Sequence, residues 1–519
     1  MSIPELDLNF HSYCSINIAT ASDTTNAEFN PFADGSYGSG ATKNIVKTPD
    51  IVYDSTAGSL SFGASGTYFI VFICPMVATG SGTFVLKIKH NGTDVVVSDA
   101  LIHRTTMSPK SGIVNCMLTV QAGDNVTVTV DGTQTNSGTG AGTHITVVKA
   151  NGHFSGAHYT ADSTATTTGG PYPIFDTANE GGTVVSNTNG IVYTSTDGHF
   201  TASANRRILL FSSWVYESDN TSSMQHVFRL DPGSGAANID NLGLGNRTTQ
   251  DPACHTYHIV KSIQEDDIVT DAFSQSATTS FQINKGTSFC MLDISNDGTA
   301  PSTFLSLTLN AVSDALSTTS GDKDIFDSSN TSSGFGTTNR TAPTGIAYDN
   351  SDGTFTVAQS GDYLVILTVG FDVASNGNTL TLKVNVDGST YYSAAYEPAA
   401  VSDPSTYPIC LVMSLEAGAV LNFLVNNAGA TIDDGSSVSI VRLDDVGGSK
   451  DLFAESVSDK LIDEDYDINT YDPDVINAQH NSVGTAQPPF LLGVPGPLSL
   501  RRGLVPNATA NVISSGKKD

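Results

Sequence analysis

Three stretches of this chain carry almost the same eight-residue phrase: Ile51-Val52-Tyr53-Asp54-Ser55-Thr56-Ala57-Gly58, Ile191-Val192-Tyr193-Thr194-Ser195-Thr196-Asp197-Gly198 and Ile346-Ala347-Tyr348-Asp349-Asn350-Ser351-Asp352-Gly353. Tyr53 and Tyr193 stand 140 residues apart, and Tyr193 and Tyr348 stand 155 apart. Such intervals far exceed the roughly 20–50 residues of a solenoid repeat, so each copy is a whole domain and the chain is a tandem triplication. We therefore divide its 519 residues into a first domain over 1–152, a diverged second over 153–302, a third over 303–446 and an extended segment over 447–519.

The third copy shows best what kind of domain this is. Thr354-Phe355-Thr356-Val357 alternates polar with apolar, Gly361-Asp362-Tyr363 follows, and Leu364 to Val369 is almost wholly apolar. Leu380, Leu382, Val384 and Val386 then alternate with polar residues up to Asp387-Gly388, a hairpin-turn dipeptide. The first copy repeats this order with Phe62, Gly66-Thr67-Tyr68, alternation from Phe84 to Ile88, Asn91-Gly92 and the strand entry Ala122-Gly123-Asp124. In the second copy Arg206-Arg207-Ile208 replaces Gly-x-Tyr, while Phe200, Ile208 to Phe211 and Phe289 to Leu292 keep their stations. Period two with frequent turns and few helix signals predicts an all-β chain of antiparallel strands.

These landmarks resemble the jelly-roll domain shared by the globular heads of the complement first component and the tumour necrosis factor superfamily. The likeness rests on Ile325-Phe326-Asp327, Tyr348, Gly353-Thr354-Phe355 and Gly361-Asp362-Tyr363, matched in the first copy by Phe32, Tyr53, Gly58 and Gly66-Thr67-Tyr68. It spans roughly residues 13–446 and implies three tandem antiparallel jelly-roll β-sandwiches, of a kind also found in bacteriophage structural proteins.

A sandwich standing alone should show water one polar face per sheet. Three segments do not: Tyr68 to Cys74, Ile208 to Phe211 and Tyr363 to Leu367 are apolar on both faces. Something else must cover the second face, and another jelly roll is the natural cover. We take Tyr68, Ile70, Phe72, Ile208, Leu210, Tyr363, Val365 and Leu367 as the candidate interface residues. Two arrangements meet the need: a homotrimer with three tiers stacked along one axis, or one chain whose copies surround a pseudo-threefold axis. The closed symmetry of identical chains favours the homotrimer. The resembled family uses the same strand to build trimers.

Composition narrows the partners. A formal net charge of −29 argues against nucleic acid, whose phosphates are held mainly by Lys and Arg. The first residues, Met1 to Asp7, show neither a basic region nor an apolar run, so no secretory signal is expected, and no stretch is long enough to insert into a membrane. Cys14, Cys74, Cys116, Cys254, Cys290 and Cys410 form no CxxC pair and read as buried thiols rather than a disulfide framework or zinc site.

No catalytic set or cofactor site is expected. Asp463, Asp465 and Asp467 suggest a calcium loop, but Ile468 stands where such a loop needs Gly. His255 and His258 fall on opposite faces of a strand, and the glycines from Gly138 to Gly142 lie between strands rather than before a helix. The doublets Asp266-Asp267 and Asp433-Asp434 sit in turns, where Asp is common.

Beyond Leu443 the chain becomes acidic over 451–474 and then Pro-rich and apolar, without strand or helix periodicity. Such a segment suits an extended anchoring arm, with Phe490, Leu491, Leu492, Val494, Arg501 and Arg502 as its candidate contacts. Taken together, these features lead us to expect a non-enzymatic virion protein assembled in the host cytoplasm, a capsid decoration protein or head fibre of a tailed bacteriophage fastened to the shell by its arm. The alternative is a tail fibre or receptor-binding protein that recognises a host glycan or surface protein through loops such as 231–255. A surface or secreted recognition module is a third class.

Overall fold

The structure is a computed structural model. It describes residues 12–443 except 20–21, 24–27, 35–41, 79–81, 104–110, 133–136, 151, 164–165, 168–171, 181, 219–223, 232–236, 245–252, 276–278, 296–302, 310–320, 331–340, 374–379, 397–404, 427–429 and 433–434. The arm candidates Phe490, Leu491, Leu492, Val494, Arg501 and Arg502, the acidic run and the Asp433-Asp434 doublet lie outside the described residues.

Strands dominate, with one four-residue helical turn at Thr177–Glu180 and a 3-10 turn at Ser328–Asn330 among the described residues. Six sheets pair into three sandwiches. In the first, one sheet runs Ser111–Val120, Gly66–Ala78, His144–Lys149, Tyr13–Ile18, Lys43–Lys47, and the other runs Ile51–Asp54, Ser59–Phe62, Asn125–Gly132, Gly82–His90, Thr93–Val97. Neighbours in each sheet are mostly distant in sequence, the mark of a jelly roll.

The second sandwich repeats the order. Its first sheet runs Ala253–Ile263, Arg206–Ser218, Ser288–Asp293, Phe154–Ala161, Thr183–Asn189, and its outer sheet Ile191–Thr194, His199–Ala202, Ile268–Gln275, Met224–Asp231, Ala237–Leu244. The third has Ser405–Leu415, Gly361–Val373, Ser437–Arg442, Phe304–Thr308, Thr341–Thr344 over Ile346–Asp349, Thr354–Val357, Val420–Asn426, Leu380–Val386, Ser389–Tyr396. The diverged second copy thus keeps the strand in question: Arg206 opens it where Gly66 and Gly361 open theirs. Part of the anticipated loop over 231–255 is a strand, Ala237–Leu244, hydrogen-bonded to Met224–Asp231.

The triplicated phrase is scaffold. Each copy forms the first strand and turn of a hairpin, with Ile51, Ile191 and Ile346 buried. The tyrosine hydroxyls of Tyr53, Tyr193 and Tyr348 donate to the carbonyls of Phe32, Phe175 and Phe326, at 2.7 Å and 2.6 Å in the last two. This ties the hairpin to the segment leading into the sandwich, so the phrase recurs because the fold needs its clamp three times.

Candidate assembly interface

Period two sends alternate residues of each long strand to opposite faces. Tyr68, Ile70 and Phe72 pack inside the first sandwich, Ile208 and Leu210 inside the second, and Tyr363, Val365 and Leu367 inside the third. The candidate interface residues are therefore core residues of their own domains, and the expectation was one residue out of step. Their alternates make the interface: Phe69, Val71 and Ile73, Leu209 and Phe211, and Leu364 and Ile366 share one buried apolar cluster drawn from all three jelly rolls. The rings of Phe69 and Phe211 meet edge to face with centroids 5.4 Å apart.

The second apolar faces are thus covered within a single chain. Of the two arrangements considered, the structure shows the pseudo-threefold one, and stacked tiers of a homotrimer are not what covers these strands. The packing is cyclic. Strand Ser111–Val120 of the first jelly roll lies against Phe154–Ala161 and Ser288–Asp293 of the second, Ala253–Ile263 of the second against Ser437–Arg442 and Phe304–Thr308 of the third, and Ser405–Leu415 of the third against His144–Lys149 and Tyr13–Ile18 of the first.

Each seam is keyed by a polar contact at one equivalent position. Asn115, His258 and Cys410 are the strand partners of Val71, Phe211 and Ile366. Asn115 Oδ1 accepts from Ser213 Oγ at 2.6 Å and from Ser288 Oγ, and its Nδ2 donates to Cys290 Sγ at 3.5 Å. His258 Nδ1 meets Thr368 Oγ1 at 2.7 Å, while Ser437 Oγ donates to the His258 carbonyl at 2.9 Å. At the third seam the Cys410 amide donates to His144 Nε2 at 3.1 Å, and Thr146 Oγ1 donates to the Cys410 carbonyl at 2.5 Å.

Size is complementary across the seams. The small Cys410 faces His144, whereas the large His258 faces Thr368 and Ser437. Were three first copies to close on one another, Asn115 would be set against Ile73 and His144 in place of two serines, overfilling the site. The side chains thus favour unlike copies in one order. Rim contacts recur at two of the three seams. Asn284 Nδ2 donates to Asp99 Oδ2 at 2.6 Å between the second and first copies, and Tyr392 Oη donates to the Gly142 carbonyl at 2.9 Å between the third and first.

Burial sets the protonation states here. His144, wholly enclosed, is pushed down to about 4 and His258 to about 3 by loss of water. His255 is also held well below its ordinary value by burial, with the neighbouring His226 adding to the effect. As expected, His255 and His258 diverge: His255 lies beside Trp214 and His226, His258 at the axis beside Phe211. The Cys14, Cys74 and Cys116 thiols are pushed up to about 12 by burial, and all six cysteines are free.

One set of side chains has the composition of a hydrolytic triad. In the second jelly roll Asp271 Oδ2 accepts from Ser212 Oγ at 2.6 Å and Trp214 Nε1 at 3.0 Å, and Oδ1 contacts His226 Nε2 at 2.7 Å. The carboxylate sits in the middle, so serine and imidazole both bond to it rather than to each other; a triad needs the imidazole in the middle. All four residues are fully buried, and this network fixes a core. Asp267 lies in its expected turn, accepting from the Gln264 amide at 2.7 Å, and the neighbouring Asp266 has a φ of +68°.

The missed residues were Asn115, His144, His258 and Cys410. For Asn115 and Cys410 the signal in the sequence is a polar or small residue inside an otherwise apolar run, as in Ile113-Val114-Asn115-Cys116-Met117, whereas His144 opens its strand and His258 lies in a mixed one, so neither stands out locally.

No family model matches the chain, and no curated protein matches it. Among solved structures it is similar to the Eiger TNF of S. frugiperda, at 12% identity and a TM-score of 0.22 over 28% of this chain and 98% of that one. It is similar also to murine APRIL at pH 5.0, at 15% identity and 0.21 over 27% and 98%, and to rabbit GITRL, at 14% and 0.16 over 20% and 79%. The jelly-roll assignment stands on strand order and not on these likenesses. No helix among the described residues is long and apolar enough to cross a membrane.

Proposed function

We propose that this chain is a non-enzymatic structural component of a virus particle, a decoration protein or head fibre of a tailed bacteriophage, in which a closed head of three jelly rolls is held to the shell by the arm over 447–519. The observation that carries the reading is the covalently joined ring. One chain supplies all three faces of the axial core, so a single head displays one arm and one chain fills one attachment position. The pseudo-threefold head replaces the stacked spike expected from a homotrimer. Its acidic balance and low content of charged residues, 14%, suit a protein whose surface meets solvent and other proteins.

Residues 1–446 and the full chain, each mixed with undecorated shells and sedimented, test the proposal. The full chain should pellet with the shells at one copy per site while the truncated chain stays in solution. Retention of the truncated chain on shells sinks the role of the arm. Attachment of residues 1–446 to host cells would favour the receptor-binding alternative, and turnover of a host polysaccharide would overturn the non-enzymatic reading.

A further inference from the structure

Two of the three seams join copies that the chain also links directly, through residues 150–153 and 294–303. The seam between third and first copies has no such link among the described residues, so side-chain contacts alone hold the ring closed there. His144 lies at its centre. Its Nδ1 is 2.7 Å from the Gly142 carbonyl, and its Nε2 accepts the Cys410 amide of the third copy. The carbonyl requires a hydrogen on Nδ1 and the amide requires a bare Nε2, so both neighbours demand the neutral ring in one tautomer.

We propose that His144 is the clasp of an acid-opened ring: protonation at Nε2 sets a hydrogen against the Cys410 amide and releases the third jelly roll from the first, while each sandwich stays folded. Among the described residues nothing nearby would shelter the new charge. The titratable groups facing His144 are Tyr392 on the outer sheet of the third copy, Cys410 across the seam and Cys74 beside its strand partner Ile73, and all three are uncharged. His258, at the seam between second and third copies, is held differently: its Nδ1 meets the hydroxyls of Thr368 and Ser437, which can donate or accept, and its Nε2 has no hydrogen-bond partner among the described residues, so no single tautomer is imposed there.

The direction follows from linkage. His144 is held to about 4 in the closed ring and returns to its free value of about 6.5 on opening. The stability it lends is whole above pH ~6.5 and is lost as pH falls through about 4, a change approaching ~300-fold in the ratio of closed to open rings.

Small-angle scattering of the full chain from about pH 7.5 to 3.5, read beside the emission of Trp214 in the core of the second copy, tests this. The radius of gyration should rise reversibly between about pH 6 and 4 while Trp214 emission holds, and His144→Gln should keep the ring closed about one pH unit further into acid. Expansion that comes only with a change in Trp214, or a His144→Gln ring that opens at the wild-type pH, overturns the proposal. Should that variant fail to fold, 15N spectra of the wild type decide: a neutral Nδ1–H tautomer persisting at pH 5 supports the clasp, and an Nε2–H tautomer or ordinary titration near 6.5 refutes it.

Discussion

Gly142 and Gly418 form a matched pair for testing whether the seams carry the stability we assign them. Both are turn glycines with almost the same backbone, φ +89° and +88°. An added Cβ at Gly418 would meet nothing within 4 Å, whereas at Gly142 it would lie 2.5 Å from the Ala394 Cβ and 2.7 Å from the Tyr392 hydroxyl of the third copy. Alanine at either site incurs left-handed strain of about 1–2 kcal/mol. A less flexible unfolded chain offsets about 0.4–1 kcal/mol of it. Gly418→Ala should therefore cost about 1 kcal/mol. Gly142→Ala adds overpacking of about 1–3 kcal/mol, for a total near 2–4 kcal/mol, of which the overpacking part falls on the ring-closing seam. Urea titrations followed by scattering and by Trp214 emission should show the ring of Gly142→Ala opening well before that of Gly418→Ala. Adding Ala394→Gly to Gly142→Ala should restore most of the difference. Equal costs for the two glycines would refute the close approach at this seam, and failure of Ala394→Gly to rescue would place the strain elsewhere.

Three further outcomes are expected. At neutral pH and low concentration, sedimentation should give the mass of one chain, 54.1 kDa, because the axial faces are already covered; a mass near three times that value would contradict this. A double-mutant cycle between Phe69→Leu and Phe211→Leu should return a coupling of about 0.5–1.5 kcal/mol across the first and second copies, and additive losses would mean the rings do not meet. Asp324, raised to about 8 mainly by burial, lends stability that is fully present below about pH 4 and lost as pH rises through 8, so Asp324→Asn should raise the melting temperature by a few degrees at pH 9 and by less at pH 5. An equal shift at both pH values would show that the carboxyl does not titrate with folding.

The sequence by itself determined the number of copies, their all-β character and the fact that their long strands have no face for water. Recurring phrases and period two are local properties, legible over a few residues. It also placed Asp266-Asp267 in a turn and His255 and His258 on opposite faces of a strand, since both follow from backbone geometry. Which apolar face looks outward was decided only in three dimensions. Tyr68-Ile70-Phe72 and Phe69-Val71-Ile73 are equally greasy, and the choice between them depends on where the second sheet lies. The order of copies around the axis was likewise tertiary, because His144 and Cys410 meet across 266 residues of chain and a contact of that span leaves no local pattern. Such seams form because buried apolar faces must be covered, and their polar keys then admit one arrangement of unlike copies.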